Sequence, residues 1–164
     1  MNDTTYLFSY TTIAAKTALP YSFTYPSPAA QYTNMQSILL IEDDISILEN
    51  MAEYLELEGY IVFTTSSGNR GIEMALEFLP DLIICDTPEP GIDGHKVLRT
   101  LISTANISEI PFIFCTTMSE TSDSLEALAL GADDFILKPF ELESILRTVK
   151  VHIQSGSKRK ILQQ

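Results

Sequence analysis

Carboxylates close two short apolar runs of this 164-residue chain: Ile38-Leu-Leu-Ile41 leads into Glu42-Asp43-Asp44, and Leu82-Ile-Ile-Cys85 into Asp86. Two further runs end on other polar groups, Phe112-Ile-Phe-Cys115 on Thr116-Thr117 and Phe135-Ile-Leu137 on Lys138-Pro139. If the fold delivers these run ends to one place, several carboxylates meet a hydroxyl and an ammonium. Carboxylates brought together repel unless one is protonated or a cation sits among them. A small hard cation with oxygen ligands, Mg2+ above all, is the natural occupant. For any single residue a blander account holds, since the loops that follow strands are solvated and polar. It is the ordered set of four run ends that favours a site.

The spacing of apolar residues predicts the elements that would position this set. Short unbroken apolar runs read as strands buried on both faces. Between them apolar residues recur at helical intervals. Ile45, Leu48, Ala52 and Leu55 are stopped by Gly59, and Ile72, Ala75, Leu76 and Leu79 end before Pro80. Val97, Leu98 and Leu101 follow from about His95; Leu125, Leu128 and Ala129 are closed by Gly131; Leu142, Ile145, Leu146 and Val149 stripe a last helix. Tyr60-Ile-Val-Phe-Thr64 adds a strand that stands second in order. Five strands alternating with five helices predict an α/β fold, a doubly wound five-stranded parallel sheet with right-handed crossovers. In such sheets the site lies at the carboxyl ends of the strands, where the four polar run ends stand.

Charge narrows the function. The net charge is −12, unevenly placed: residues 37–154 hold 21 acids and 6 bases, whereas Lys158, Arg159 and Lys160 crowd the last ten residues. So acidic a body repels phosphate backbones, which argues against direct nucleic-acid binding. No run approaches the roughly 18 apolar residues of a membrane helix, and the first residues lack the charged and apolar regions of a secretory signal. Cys85 and Cys115 each end or nearly end an apolar run and read as buried thiols in a reducing compartment, so a cytoplasmic location without membrane contact is expected. Residues 1–36, rich in Tyr, Ser, Thr, Ala and Pro, show no helical or strand period and read as a disordered or loosely packed extension. Met35 stands just before the first run, so a native start there is an open alternative. Residues 37–154 form the expected domain. Residues 155–164 read as a short basic tail, too short for an output module.

The ordered set resembles the receiver domains of two-component response regulators. The resemblance covers about residues 37–152 and rests on four segments. They are Ile38-Leu-Leu-Ile-Glu42-Asp43-Asp44; Pro80-Asp-Leu-Ile-Ile-Cys-Asp86-Thr-Pro88-Glu-Pro-Gly-Ile-Asp93-Gly94; Ile110-Pro-Phe-Ile-Phe-Cys-Thr116-Thr117; and Gly131-Ala-Asp-Asp-Phe135-Ile-Leu-Lys138-Pro139-Phe140. It implies a flavodoxin-like sheet of order 2-1-3-4-5, and the short tail from Ser155 adds the expectation of a single-domain regulator. Asp86 would accept a phosphoryl group, with Mg2+, from a histidine kinase or a histidine phosphotransfer protein. Glu42, Asp43 and Asp86, with the backbone carbonyl of Pro88, would hold the metal. Lys138 would pair with the acceptor and then with the phosphoryl group, and Thr116 would hydrogen-bond a phosphoryl oxygen. Phe135 would be the switch aromatic, turning toward the space Thr116 leaves and altering a face of the fourth helix, fifth strand and last helix, roughly residues 119–152. The output would be contact with a downstream protein, and the chain would not be a turnover enzyme.

Other residues read more plainly. Asp44 suits a helix cap better than a ligand position, and Asp93-Gly94 is a turn and helix start. Pro139 fits a cis bond, a trait of the family. His95 and His152 lack partners at ligand spacing, and Met51, Met74 and Met118 read as packing. Pro88, Glu89 and Thr117 depart from common family residues. With Pro88 and Met118 two positions beyond Asp86 and Thr116, no side chain there would hold a hydrolytic water, which implies a long-lived phosphoryl group. Two rival readings, a metal-dependent aspartyl-phosphate phosphohydrolase and a nucleotide or flavin binder, fit less well. Pro88 stands where the first would want a second acid, and Glu42-Asp43-Asp44 would repel the phosphate of the second.

Overall fold

Runs such as Ile38-Leu-Leu-Ile41 and Leu82-Ile-Ile-Cys85 have no polar face, so a sheet built from them needs helices on both sides. In the computed structural model, which describes residues 35–86, 93–104, 107–117 and 128–162 (side chains only as far as 154), this is the architecture. The described residues fall within one unit, Asn34–Gln164. The elements are β1 (Ser37–Ile41), α1 (Ile45–Leu57), β2 (Ile61–Thr65), α2 (Gly68–Phe78), β3 (Leu82–Asp86), α3 (Gly94–Ile102), β4 (Phe112–Thr117), β5 (Asp134–Lys138) and α4 (Leu142–Leu162). All four strand pairs are parallel, in the order β2-β1-β3-β4-β5. The expected doubly wound, flavodoxin-like sheet and its strand order are therefore what the chain forms. The helix expected around Leu125 falls mostly outside the described residues, as do residues 1–34 of the expected 1–36 extension, Pro88, Glu89 and Met118.

Alternation along each strand divides the core in two. Leu39, Ile41, Ile83, Cys85, Phe112 and Phe114 pack with α2 and α3. Ile38, Leu40, Leu82, Ile84, Ile113, Cys115 and Ile136 pack with α1 and α4. The two thiols lie in different layers, both fully buried, and burial pushes each well above its ordinary range. Neither should react with a thiol reagent until denaturant is added; prompt labelling of the native chain would contradict this packing.

The helix stripes differ in part from the sequence reading. In α1 the inward residues are Leu48, Met51 and Leu55, while Ile45 is 52% exposed because it occupies the first turn, beyond the sheet edge. In α2 they are Gly71, Met74 and Ala75; Leu76 turns outward, and Leu79 is the left-handed residue that ends the helix. Spacing placed both neighbours Ala75 and Leu76 on the stripe, and only Ala75 faces inward. The reason for the actual phase is Gly71, where α2 crosses β1 closely. A Cβ there would meet Ile41 Cδ1 and Cγ1, the second at 2.9 Å. Gly71→Val is therefore expected to lower stability by about 2 kcal/mol, seen as a shifted urea midpoint; an unchanged midpoint would show that the crossing is loose. Gly59, at φ +94, closes α1 as expected, with Tyr60 N–H donating to Leu55 O. The helix α4 continues through Leu162, past the expected boundary at 154.

Candidate functional site

Register builds the site. Ile41 pairs with Cys85, so the next residues, Glu42 and Asp86, emerge side by side at the carboxyl edge. Asp86 pairs with Cys115, and Lys138 of β5 pairs with Thr117, which places Lys138 beyond β4 and within reach of Asp86. Parity then sorts the side chains. Asp86 follows Leu82 and Ile84, and Lys138 follows Ile136, so both project on the α1 and α4 side. Thr116 follows Phe112 and Phe114 on the opposite side, where Phe135 also packs, half-buried.

The charged groups meet as this predicts. Lys138 Nζ donates to Asp86 Oδ2 at 2.8 Å and to Glu42 Oε2 at 2.9 Å. Glu42 and Asp86 are almost fully buried, 3% and 1% exposed, and Asp43 is exposed. The Asp44 N–H donates to the other Glu42 oxygen at 3.1 Å. Asp44 itself caps α1, its carboxylate accepting from Ser46 N–H and Ile47 N–H. Burial pushes the Glu42 carboxyl up to about 7; the Lys138 hydrogen bond opposes this and neighbouring Asp86 adds to it. Burial alone would lower Lys138, but its hydrogen bonds to Asp86 and Glu42 outweigh that and raise it. Once Glu42 ionises, two buried acids share one ammonium and leave a local excess of negative charge.

That excess is what a hard cation would neutralise. One carboxylate oxygen from each of Glu42, Asp43 and Asp86 lies within 4.8 Å of the others. The donor set is all oxygen and carries Asp43 at the solvent side, which suits Mg2+ and its retained waters. Pro88, the fourth expected ligand, lies outside the described residues. Thr116 is buried at the same strand edge, its hydroxyl 3.5 Å from Thr117 O. The Lys138–Pro139 bond is cis.

The pairing of Lys138 with Glu42, as well as with Asp86, is a feature the sequence reading missed; the β1–β3 register is the signal that carries it. A second is His152, whose Nε2–H donates to Asp134 Oδ2 at 2.9 Å. Among the described residues no helix is long and apolar enough to cross a membrane.

Comparison with known proteins converges on the same elements. A family model described as "response regulator receiver domain" matches residues 38–150. The chain is 34% identical over 116 residues to the DNA-binding dual master transcriptional regulator RpaA of Synechocystis, covering 71% of this chain and 48% of that protein. It is 34% identical over 132 residues to the response regulator ArlR of Staphylococcus aureus, covering 78% and 57%. The chain thus spans about half the length of these relatives. Among solved structures, a putative response regulator from Chloroflexus aurantiacus superposes with a TM-score of 0.69 at 28% identity, covering 73% of this chain and 98% of that one. The chemotaxis protein CheY4 of Vibrio cholerae gives 0.67 at 28%, covering 71% and 97%.

Proposed function

The chain belongs to the response regulator receiver domain family of two-component systems, and from that premise we propose that it is switched by transfer of a phosphoryl group onto Asp86. The observation that carries the reading is the buried Asp86 carboxylate held at 2.8 Å by Lys138 and flanked by Glu42 and Asp43. The donor would be a phosphohistidine of a histidine kinase or phosphotransfer protein. An Asp86 oxygen attacks phosphorus, the O–P bond forms, the P–N bond breaks, and the leaving imidazole keeps the electron pair. Glu42, Asp43 and Asp86, with the Pro88 carbonyl that the family resemblance implies, would hold Mg2+, which when bound would neutralise charge on the phosphoryl oxygens.

The chain's own groups do the rest by position and charge. Lys138 follows the negative charge from carboxylate to phosphoryl oxygen as a compact cation. The Thr116 hydroxyl donates to a second phosphoryl oxygen, and Phe135, on the same side of the sheet, moves with it as the switch. A gain of nearly two negative charges biases such a two-state element. Each cycle returns Asp86 unchanged only after hydrolysis of its own adduct, so we assign signalling rather than substrate turnover. Output is by contact with a downstream protein over residues 119–152. The acidity of residues 37–154 supports a protein partner rather than nucleic acid, and the two buried cysteines support a cytoplasmic setting.

Acetyl phosphate with Mg2+ should add one phosphoryl group by intact mass, and Asp43→Asn should strongly reduce that yield by removing a metal ligand. An adduct of equal yield without Mg2+ would contradict the role given to the acidic cluster.

A further inference from the structure

β5 ends the sheet, so the backbone N–H groups that face away from β4 have no strand to pair with. At Phe135 this N–H donates to Asp134 Oδ1 at 2.8 Å. The second oxygen of the same carboxylate accepts from His152 Nε2–H of α4 at 2.9 Å. An ionised carboxylate is acceptor only, so the ring nitrogen in this contact carries the hydrogen. One side chain thus joins the backbone of the aromatic to a helix. The two partners belong to different layers: Phe135 packs against the α2 and α3 side, whereas α4 is anchored on the other side by Ile145, Val149 and Ile153. His152 stands beside buried Ile153, its side chain 17% exposed, so the contact is sheltered from competing water although Asp134 is 43% exposed.

We propose that Asp134 and His152 form a strap that couples the position of the Phe135 backbone to α4. The inference rests on the switch role assigned above to Phe135. When the ring changes place, the strap forces the change into α4 instead of letting β5 absorb it. By reciprocity, whatever holds α4 in one position biases the state of the phosphoryl site. His152 is a positioning residue in this scheme, since it acts through Asp134 and touches none of the reacting atoms.

Amide NMR of the full chain, with and without Mg2+ plus beryllium fluoride as a phosphoryl mimic, separates the possibilities. In wild type, amides around Asp86 and Lys138 should shift, and so should those of Val149–His152. His152→Leu should keep the shifts near Asp86 and reduce those in α4 at least twofold. His152→Gln, which retains an N–H donor, should restore them. Asp134→Ala cuts the strap from the other end and should match His152→Leu. An α4 response of wild-type size in His152→Leu and Asp134→Ala, or its absence in wild type beside a clear response at Asp86, would overturn the strap. No response at Asp86 in wild type would instead overturn the phosphoacceptor reading, and the strap with it.

Discussion

Lys138→Met is expected to lower the stability of the metal-free chain by about 3 kcal/mol, because it removes the one ammonium shared by two buried carboxylates. The loss should be smaller at pH 6 than at pH 8. At the lower pH Glu42, already pushed up to about 7, takes a proton and relieves the uncompensated charge. Mg2+ should return part of the stability by serving as a second source of positive charge. It should not return the rate of Asp86 phosphorylation, which is expected to fall on the order of a hundredfold without a cation placed at the phosphoryl oxygen. Urea unfolding at the two pH values, with and without Mg2+, reads the first part, and intact mass against time reads the second. A variant as stable as wild type at pH 8 would mean that the paired geometry carries little energy.

Glu42→Gln should act in the opposite direction. The folded chain holds a proton on Glu42 up to about pH 7, whereas the unfolded chain releases it near 4.5. Between those values the folded state binds more protons, so the Glu42 contribution to stability is fully present below about 4.5 and declines as pH rises through about 7. A neutral glutamine removes this decline. The variant should be more stable than wild type at pH 8 without metal, by roughly 2 kcal/mol, and should unfold with a flatter pH dependence. It should also lose most of the stabilisation that wild type gains from Mg2+, since one of three oxygen donors has lost its charge. A variant less stable than wild type at pH 8, or one with an intact Mg2+ response, would contradict the placement of Glu42.

The strands and their order were readable because apolar runs buried on both faces leave few alternatives, and the polar residue at each run end then falls at one edge by topology. Glu42, Asp43, Asp86, Thr116 and Lys138 were all found this way. Helix phase was harder. Leu76 and Ile45 look like core residues by hydrophobicity, but the close crossing of Gly71 over Ile41 and the position of Ile45 in a first turn decide otherwise. The double pairing of Lys138 was hidden because its partners are distant in sequence and only the strand register unites them. The His152 contact was hidden for a related reason: a histidine on a helix face gives no sign of which strand end it will meet.

Reductive trapping shows whether Asp86 is the phosphoryl acceptor. Wild type treated with acetyl phosphate and Mg2+ is reduced with borohydride, which converts an aspartyl phosphate to homoserine, and the product is located by peptide mass spectrometry. Homoserine is expected at position 86 in wild type and none in Asp86→Asn. Trapping at another acid, or an undiminished phosphoryl adduct in Asp86→Asn, would contradict that assignment.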